Sequence, residues 1–193
     1  MKRVCVYCGS SPGGNPIYRQ AAQTLGRALA HRGLELVYGG ASIGVMGALA
    51  DAVLAEGGTV LGVIPEALAR REVAHPGLTE LVITPSMHVR KMRMAQAADA
   101  FVALPGGIGT FEELFEIWTW AQLGIHGKPV ALLNVAGYFD HLIALVDHAV
   151  AQGFLRPEQR ALLWVEAEVQ PLLDRLIRSR AAAPEHGLRI EQG

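Results

Sequence analysis

The sequence predicts an α/β fold: a single domain built on a doubly wound parallel sheet of about seven strands. Three observations carry this. Short β-branched or aromatic runs alternate with helical patterns from end to end. The chain has 193 residues, which suits one domain. It is 51% hydrophobic and 18% charged, with a mean hydropathy of +0.26, as expected of strands buried on both faces.

The predicted strands are Arg3–Tyr7, Leu34–Tyr38, Thr59–Ile64, Leu81–Thr84, Phe101–Leu104, Pro129–Leu133 and Leu162–Val165, each bounded by Gly, Pro or Ser. Between them the spacing predicts helices. The first covers Ile17–His31, with Ile17, Ala21, Leu25, Ala28 and Leu29 on one face. The second opens near Val45 and stops at Gly57-Gly58. The others are expected over Met87–Ala98, Thr110–Leu123, Tyr138–Gln152 (Leu142, Leu145, Val146 and Ala149 at helical spacing) and Pro171–Ser179. Strand–helix–strand alternation implies right-handed parallel crossovers. Pro65–Pro76 has little periodicity, carries Arg70, Arg71, Glu72 and His75, and is long enough to be a loop over a site. The domain is expected to span residues 1–180, and residues 181–193 to fray.

Charge and composition exclude several classes. Seventeen Lys and Arg against 18 Asp and Glu leave a net charge of −1, so no nucleic-acid polymer is expected as a partner. The first apolar run is about five residues, short of a signal-peptide core of roughly 7–15. No segment approaches the roughly 20 apolar residues of a membrane span. With only two cysteines, the expectation is a cytoplasmic protein. Cys5 and Cys8 form one C-x-x-C, readable as a redox pair or half a zinc site, but they begin inside a strand-like run where Cys serves as a small core residue. The seven His show no metal-ligand spacing, and neither metal nor cofactor is expected.

Several polar segments leave the predicted carboxyl edge of the sheet, where ligands of such folds bind. They are Cys8–Asn15, Gly39–Gly47, Ser86–Arg93 and Pro105–Glu113. Ser10, Gly39, Gly40, Gly44, Met87 and Arg93 on these loops are candidate contacts. Pro105–Glu113 (PGGIGTFEE) is the most informative. Its glycines let backbone approach a ligand, and the helix that follows presents unpaired N–H groups and a partial positive charge, an anion pocket suited to phosphate. It is neither a Walker A sequence nor G-x-G-x-x-G, which points to a smaller phosphate ester. Thr110-x-x-Glu113 is also readable as a capping box. Arg90 and Arg93 share a helix face, Lys91 points elsewhere, and this helix starts beside a strand expected to neighbour the PGG strand. An Arg there could hold a phosphate or stabilise developing negative charge.

With PGGIGTFEE and SMHVRK together, the sequence resembles the LONELY GUY family, the cytokinin riboside 5′-monophosphate phosphoribohydrolases. The motif P-G-G-x-G-T-x-x-E falls on Pro105, Gly106, Gly107, Gly109, Thr110 and Glu113, and M-H-x-R-K on Met87, His88, Arg90 and Lys91. Similarity extends through CVYCGSS, YGGASIGVMG, Arg71-Glu72, ADAFVALPGG and TWAQLGIHGKPVALLN, from about Val4 to Phe154. Ala41 stands where many members carry a third Gly. The resemblance implies a Rossmann-like sheet, a homodimer, and hydrolysis of a nucleoside 5′-monophosphate such as AMP to free base and ribose 5-phosphate. It implies catalytic roles for Arg90 and Glu113. It also implies substrate contacts at Glu72, Lys91, Gly107, Ile108, Gly109, Thr110, Phe111, Glu112, Glu113 and Thr119. The family's older label, possible lysine decarboxylase, would need a Schiff-base lysine, and of Lys2, Lys91 and Lys128 only Lys91 is expected near the site.

Cleavage of a ribosyl–base bond develops positive charge on the sugar, as in glycoside hydrolysis. Glu113 is expected to face that charge, with Glu112 turned about 100° away along the helix. Arg90, always charged, is expected to stabilise and orient, an effect worth about 2–4 kcal/mol. Two alternatives stand beside this reading: a nucleosidase of broader specificity, and a non-catalytic nucleotide or cofactor carrier.

Overall fold

The structure, a computed structural model, describes residues 1–69 and 74–182. Arg70, Arg71, the expected contact Glu72, and residues 183–193 of the expected tail lie outside the described residues. In chain order the elements are β1 (Arg3–Tyr7), α1 (Pro16–His31), β2 (Glu35–Tyr38), α2 (Gly44–Ala55), β3 (Val60–Pro65), α3 (Glu66–Ala69), β4 (Glu80–Thr84), α4 (Met87–Ala97) and β5 (Ala100–Ala103). There follow α5 (Ile108–Gln122), β6 (Val130–Leu133), a 3₁₀ turn at Val135–Gly137, α6 (Asp140–Ala151), α7 (Pro157–Arg160), β7 (Leu163–Glu166) and α8 (Val169–Ala182).

The described strands form one parallel sheet in the order β4-β3-β2-β1-β5-β6-β7. Because side chains alternate along a strand, successive residues of β1 divide between two cores. Val4 and Val6 join a layer packed under α1, α2 and α8, whereas Cys5 and Tyr7 join a layer under α4, α5 and α6. Cys5 and Cys8 are both buried and free, and they sit in opposite layers, so the C-x-x-C is core packing rather than a redox pair. Burial pushes both thiols far above their usual range. No helix among the described residues is long and apolar enough to cross a membrane.

Three expectations need correction. The strand before α4 does not neighbour the PGG strand. β4 is the sheet edge, paired only with β3, and α4 reaches the centre by packing back across β3, β2 and β1. Helix α5 begins at Ile108 rather than Thr110, because Gly107 takes the extended cap conformation. Helix α8 begins two residues before Pro171, since a proline in the first turn lacks only an N–H that would be unpaired anyway. Leu145, placed at helical spacing with Val146, is exposed while Val146 is buried.

Candidate active site

The strand order reverses between β1 and β5, which are hydrogen-bonded neighbours. The loops leaving their carboxyl ends therefore diverge around a crevice. Gly9 ties three of these loops together. Its N–H donates to the Pro105 carbonyl at 3.2 Å, and its own carbonyl accepts from the Val45 and Met46 N–H groups at 3.1 Å each. The cavity that results measures about 470 Å³, within the range of small-molecule sites.

Among the helices that start at this edge, the N-termini of α1, α4 and α2 are closed. Asn15 caps α1 by accepting from the Ile17 N–H at 3.0 Å, and the Ser86 hydroxyl caps α4 by accepting from Val89 at 3.3 Å. The Gly9 carbonyl occupies the first amides of α2. Helix α5 differs: its cap, Gly107, has no side chain, and the first bond into the helix runs from the Phe111 N–H to the Gly107 carbonyl at 3.1 Å. The amides of Ile108, Gly109 and Thr110 precede that bond and have no partner within the helix. The capping box does not form, because Thr110 is the third residue of α5 rather than its cap, and Glu113 is engaged elsewhere.

The loop glycines fall into two kinds. A Cβ on Gly106 would lie 2.1 Å from the Thr110 Oγ1 and 2.7 Å from the Gly9 N, so only glycine fits. A Cβ on Gly107 or Gly109 would meet nothing within 4 Å, because both face open space.

Beyond the loop, Arg90 of α4 donates from Nη1 to the Glu113 Oε1 of α5 at 2.7 Å and from Nε to the Val63 carbonyl at 3.0 Å. Both side chains of the pair are 5% exposed. Burial raises the Glu113 carboxyl above its usual range, with the Arg90 charge pulling the other way. Gly39 makes room for the guanidinium: a Cβ there would lie 2.5 Å from Arg90 Nη2.

Of the residues singled out from sequence, Ser10, Met87, Arg90, Gly107, Ile108, Gly109, Thr110 and Glu113 line this one cleft. Lys91, Phe111, Glu112, Thr119, Arg93, Gly39, Gly40 and Gly44 do not. Lys91 instead bridges α4 to α5 by ion pairs with Glu112 and, at 2.9 Å, Glu116. Phe111 packs edge-on against Phe139, and Thr119 and Arg93 are exposed, so Arg93 does not share the burial of Arg90. Gly44 adopts φ +65 and abuts the Ser10 backbone, so it shapes the cleft loop from behind. Sequence reasoning missed Tyr18, Met46, Leu68 and Tyr138, which also line the cleft. Tyr138 was legible in principle, as it follows the strand after the PGG strand and so returns to the same edge.

Fold and site together define a Rossmann-like α/β protein whose switch-point cleft joins one open helix N-terminus to a buried Arg–Glu ion pair. Residues 46–176 match the family described as possible lysine decarboxylase. The chain is 53% identical over 175 residues to a probable cytokinin riboside 5′-monophosphate phosphoribohydrolase of Oryza sativa subsp. japonica, covering 91% of this chain and 77% of the relative. It is 52% identical over 162 residues to a cytokinin riboside 5′-monophosphate phosphoribohydrolase of Arabidopsis thaliana, covering 84% and 75%. The molybdenum cofactor carrier protein of Chlamydomonas reinhardtii superimposes with a TM-score of 0.69 at 22% identity, over 94% of this chain and 99% of that one, a likeness of fold. The chain belongs to the cytokinin riboside 5′-monophosphate phosphoribohydrolase (LONELY GUY) family.

Proposed function

We propose that this protein hydrolyses the N-glycosidic bond of nucleoside 5′-monophosphates, cytokinin nucleotides among them, to free base and ribose 5-phosphate. The observation that carries the reading is the open helix N-terminus of α5 with the buried Arg90–Glu113 pair further along the same helix, both lining one cleft. Gly109 and Glu113 are four residues apart, an advance of about 6 Å along the axis. A 5′-phosphate on the amides of Ile108, Gly109 and Thr110 then sets the ribose across the first turns of α5, with its anomeric carbon toward Glu113. Arg90 engages Oε1, leaving Oε2 for the sugar side.

As the bond between the anomeric carbon and the base nitrogen breaks, its electron pair leaves with the base. Glu113, as carboxylate, stabilises the positive charge on the ribose and takes a proton from the attacking water, whose oxygen bonds to the anomeric carbon. The base leaves with that electron pair and is protonated by solvent, Glu113 then returns its proton to solvent, and the sum is nucleotide plus water giving base plus ribose 5-phosphate. Arg90 holds the carboxylate in position and opposes the rise that burial imposes on it. Binding at the phosphate aligns the reacting centre some distance away.

A lysine Schiff base has no support. Lys91 is bound to two carboxylates outside the cleft, Lys128 donates to the Ala95 carbonyl at 2.7 Å, and Lys2 is exposed at the start of β1. Incubation with AMP or a prenylated AMP, followed by chromatography, tests the reading. Equal amounts of base and ribose 5-phosphate are expected, and intact nucleotide after exhaustive incubation overturns it.

We further infer a cytoplasmic homodimer. Two free, buried thiols suit a reducing compartment. The helical layer that carries α5 and α6 leaves Phe115, Leu123, Leu145 and Phe154 exposed, more apolar surface than a lone monomer favours. Light scattering should return twice the 20.7 kDa chain mass.

A further inference from the structure

The carbonyls of Pro105, Gly106 and Gly107 are each held by a donor from a different part of the chain. The Gly9 N–H takes the Pro105 carbonyl, the Phe111 N–H takes the Gly107 carbonyl, and the Tyr138 hydroxyl donates to the Gly106 carbonyl at 2.5 Å. The first two are backbone bonds that any sequence could make. The third depends on one side chain, delivered from the far side of the cleft by the turn after β6.

That turn is built to place Tyr138. Ala136 sits at φ 50 and Gly137 at φ 72, so a non-glycine residue is held in the left-handed region. The Asn134 side chain spans the turn, accepting from the Phe139 N–H at 2.7 Å and donating to the Asp140 Oδ1 at 2.7 Å. The Tyr138 ring is clamped edge-on between Tyr18, at 5.4 Å between centroids, and Phe139, at 5.0 Å.

The bond matters because of the peptide it fixes. Gly106 and Gly107 carry no Cβ to resist rotation of the plane between them, so a flip there meets little steric opposition. In a trans peptide the C=O of one residue and the N–H of the next point in opposite directions. A flip would put the Gly106 carbonyl where the Gly107 N–H now points, and a carbonyl oxygen facing a phosphate repels it. We propose that Tyr138 is a positioning residue for the phosphate: its hydroxyl locks the Gly106–Gly107 peptide in the orientation that presents only N–H groups to the ligand. This rests on the phosphate-loop reading above.

The test is calorimetric binding of AMP, ribose 5-phosphate and adenosine to the intact protein and to Tyr138→Phe, which keeps the ring and loses the hydroxyl. Loss of one hydrogen bond is expected to weaken AMP and ribose 5-phosphate by about tenfold while leaving adenosine unchanged. Asn134→Ala, which loosens the turn without touching Tyr138, should shift the same two ligands in the same direction, and it carries the test if Tyr138→Phe does not fold. Equal weakening of all three ligands, or of none, overturns the assignment. If the unsubstituted protein binds adenosine as tightly as AMP, the phosphate loop itself is refuted and Tyr138 loses its role with it.

Discussion

Arg90 and Glu113, 23 residues apart on two different helices, meet at 2.7 Å with each side chain 5% exposed. A buried ion pair of this kind contributes little net stability, because desolvating both charges offsets their attraction. Leaving one partner alone is far worse.

Replacing Glu113 with Gln keeps an acceptor for the Arg90 guanidinium and removes the charge. Base release from AMP is expected to fall below detection while the chain still folds, with a lowered thermal midpoint because the buried Arg90 charge loses its partner. Chromatographic product analysis with a melting curve on the same preparation decides this, and sustained turnover in the variant rules Glu113 out as the reacting carboxylate.

Burial raises the Glu113 carboxyl and Arg90 opposes the rise. If the ionised form is active, activity climbs as pH rises through that raised value. The acid limb of kcat/KM should then lie above the ordinary glutamate value of about 4.3. The stability sign is opposite. The folded state retains the proton longer than the unfolded chain, so Glu113 favours folding at low pH and loses that contribution as pH rises through the raised value. A pH–rate profile with its acid limb at or below the ordinary value contradicts this.

Gly109→Ala adds a methyl group that meets nothing within 4 Å, in the first turn of a helix where Ala is favoured by up to about 1 kcal/mol. Unchanged or raised stability with weakened AMP binding is expected. Gly106→Ala should instead destabilise the fold, as its Cβ would lie 2.1 Å from Thr110 Oγ1. Melting curves and AMP titrations separate the two, and identical behaviour of the variants would contradict the division of the loop into a packed side and an open side.

Gly39→Ala places its Cβ 2.5 Å from Arg90 Nη2, the end of a long side chain that can yield. The fold should survive and Arg90 should shift off Glu113. The predicted signature is a loss in kcat larger than the rise in KM, read from steady-state kinetics. Kinetics like those of the parent would mean the guanidinium position is not critical.

Much of this was readable in the chain. All seven strands fall within about a residue or two of the segments expected, because β-branched runs between glycine and proline are local signals. The short α3 and α7 were not legible, being four residues each. Thr110 and Glu113 have capping-box spacing, and the spacing left that alternative open, yet Gly107 caps the helix and Glu113 turns to Arg90. Spacing shows which residues share a helix face, not what lies opposite that face.

The amino-acid order alone determined the alternation of strand and helix, the glycine-rich turn after β5, and the presence of a carboxylate and a guanidinium on segments that leave the carboxyl edge of the sheet. Only the tertiary structure decided that β4 lies at the rim while α4 crosses back to the centre, so that Arg90 meets Glu113, Lys91 meets Glu112, and Tyr138 reaches Gly106. The division has a physical cause. Periodicity and turn chemistry act over a few residues, whereas the meeting of side chains depends on strand order, which no local signal encodes.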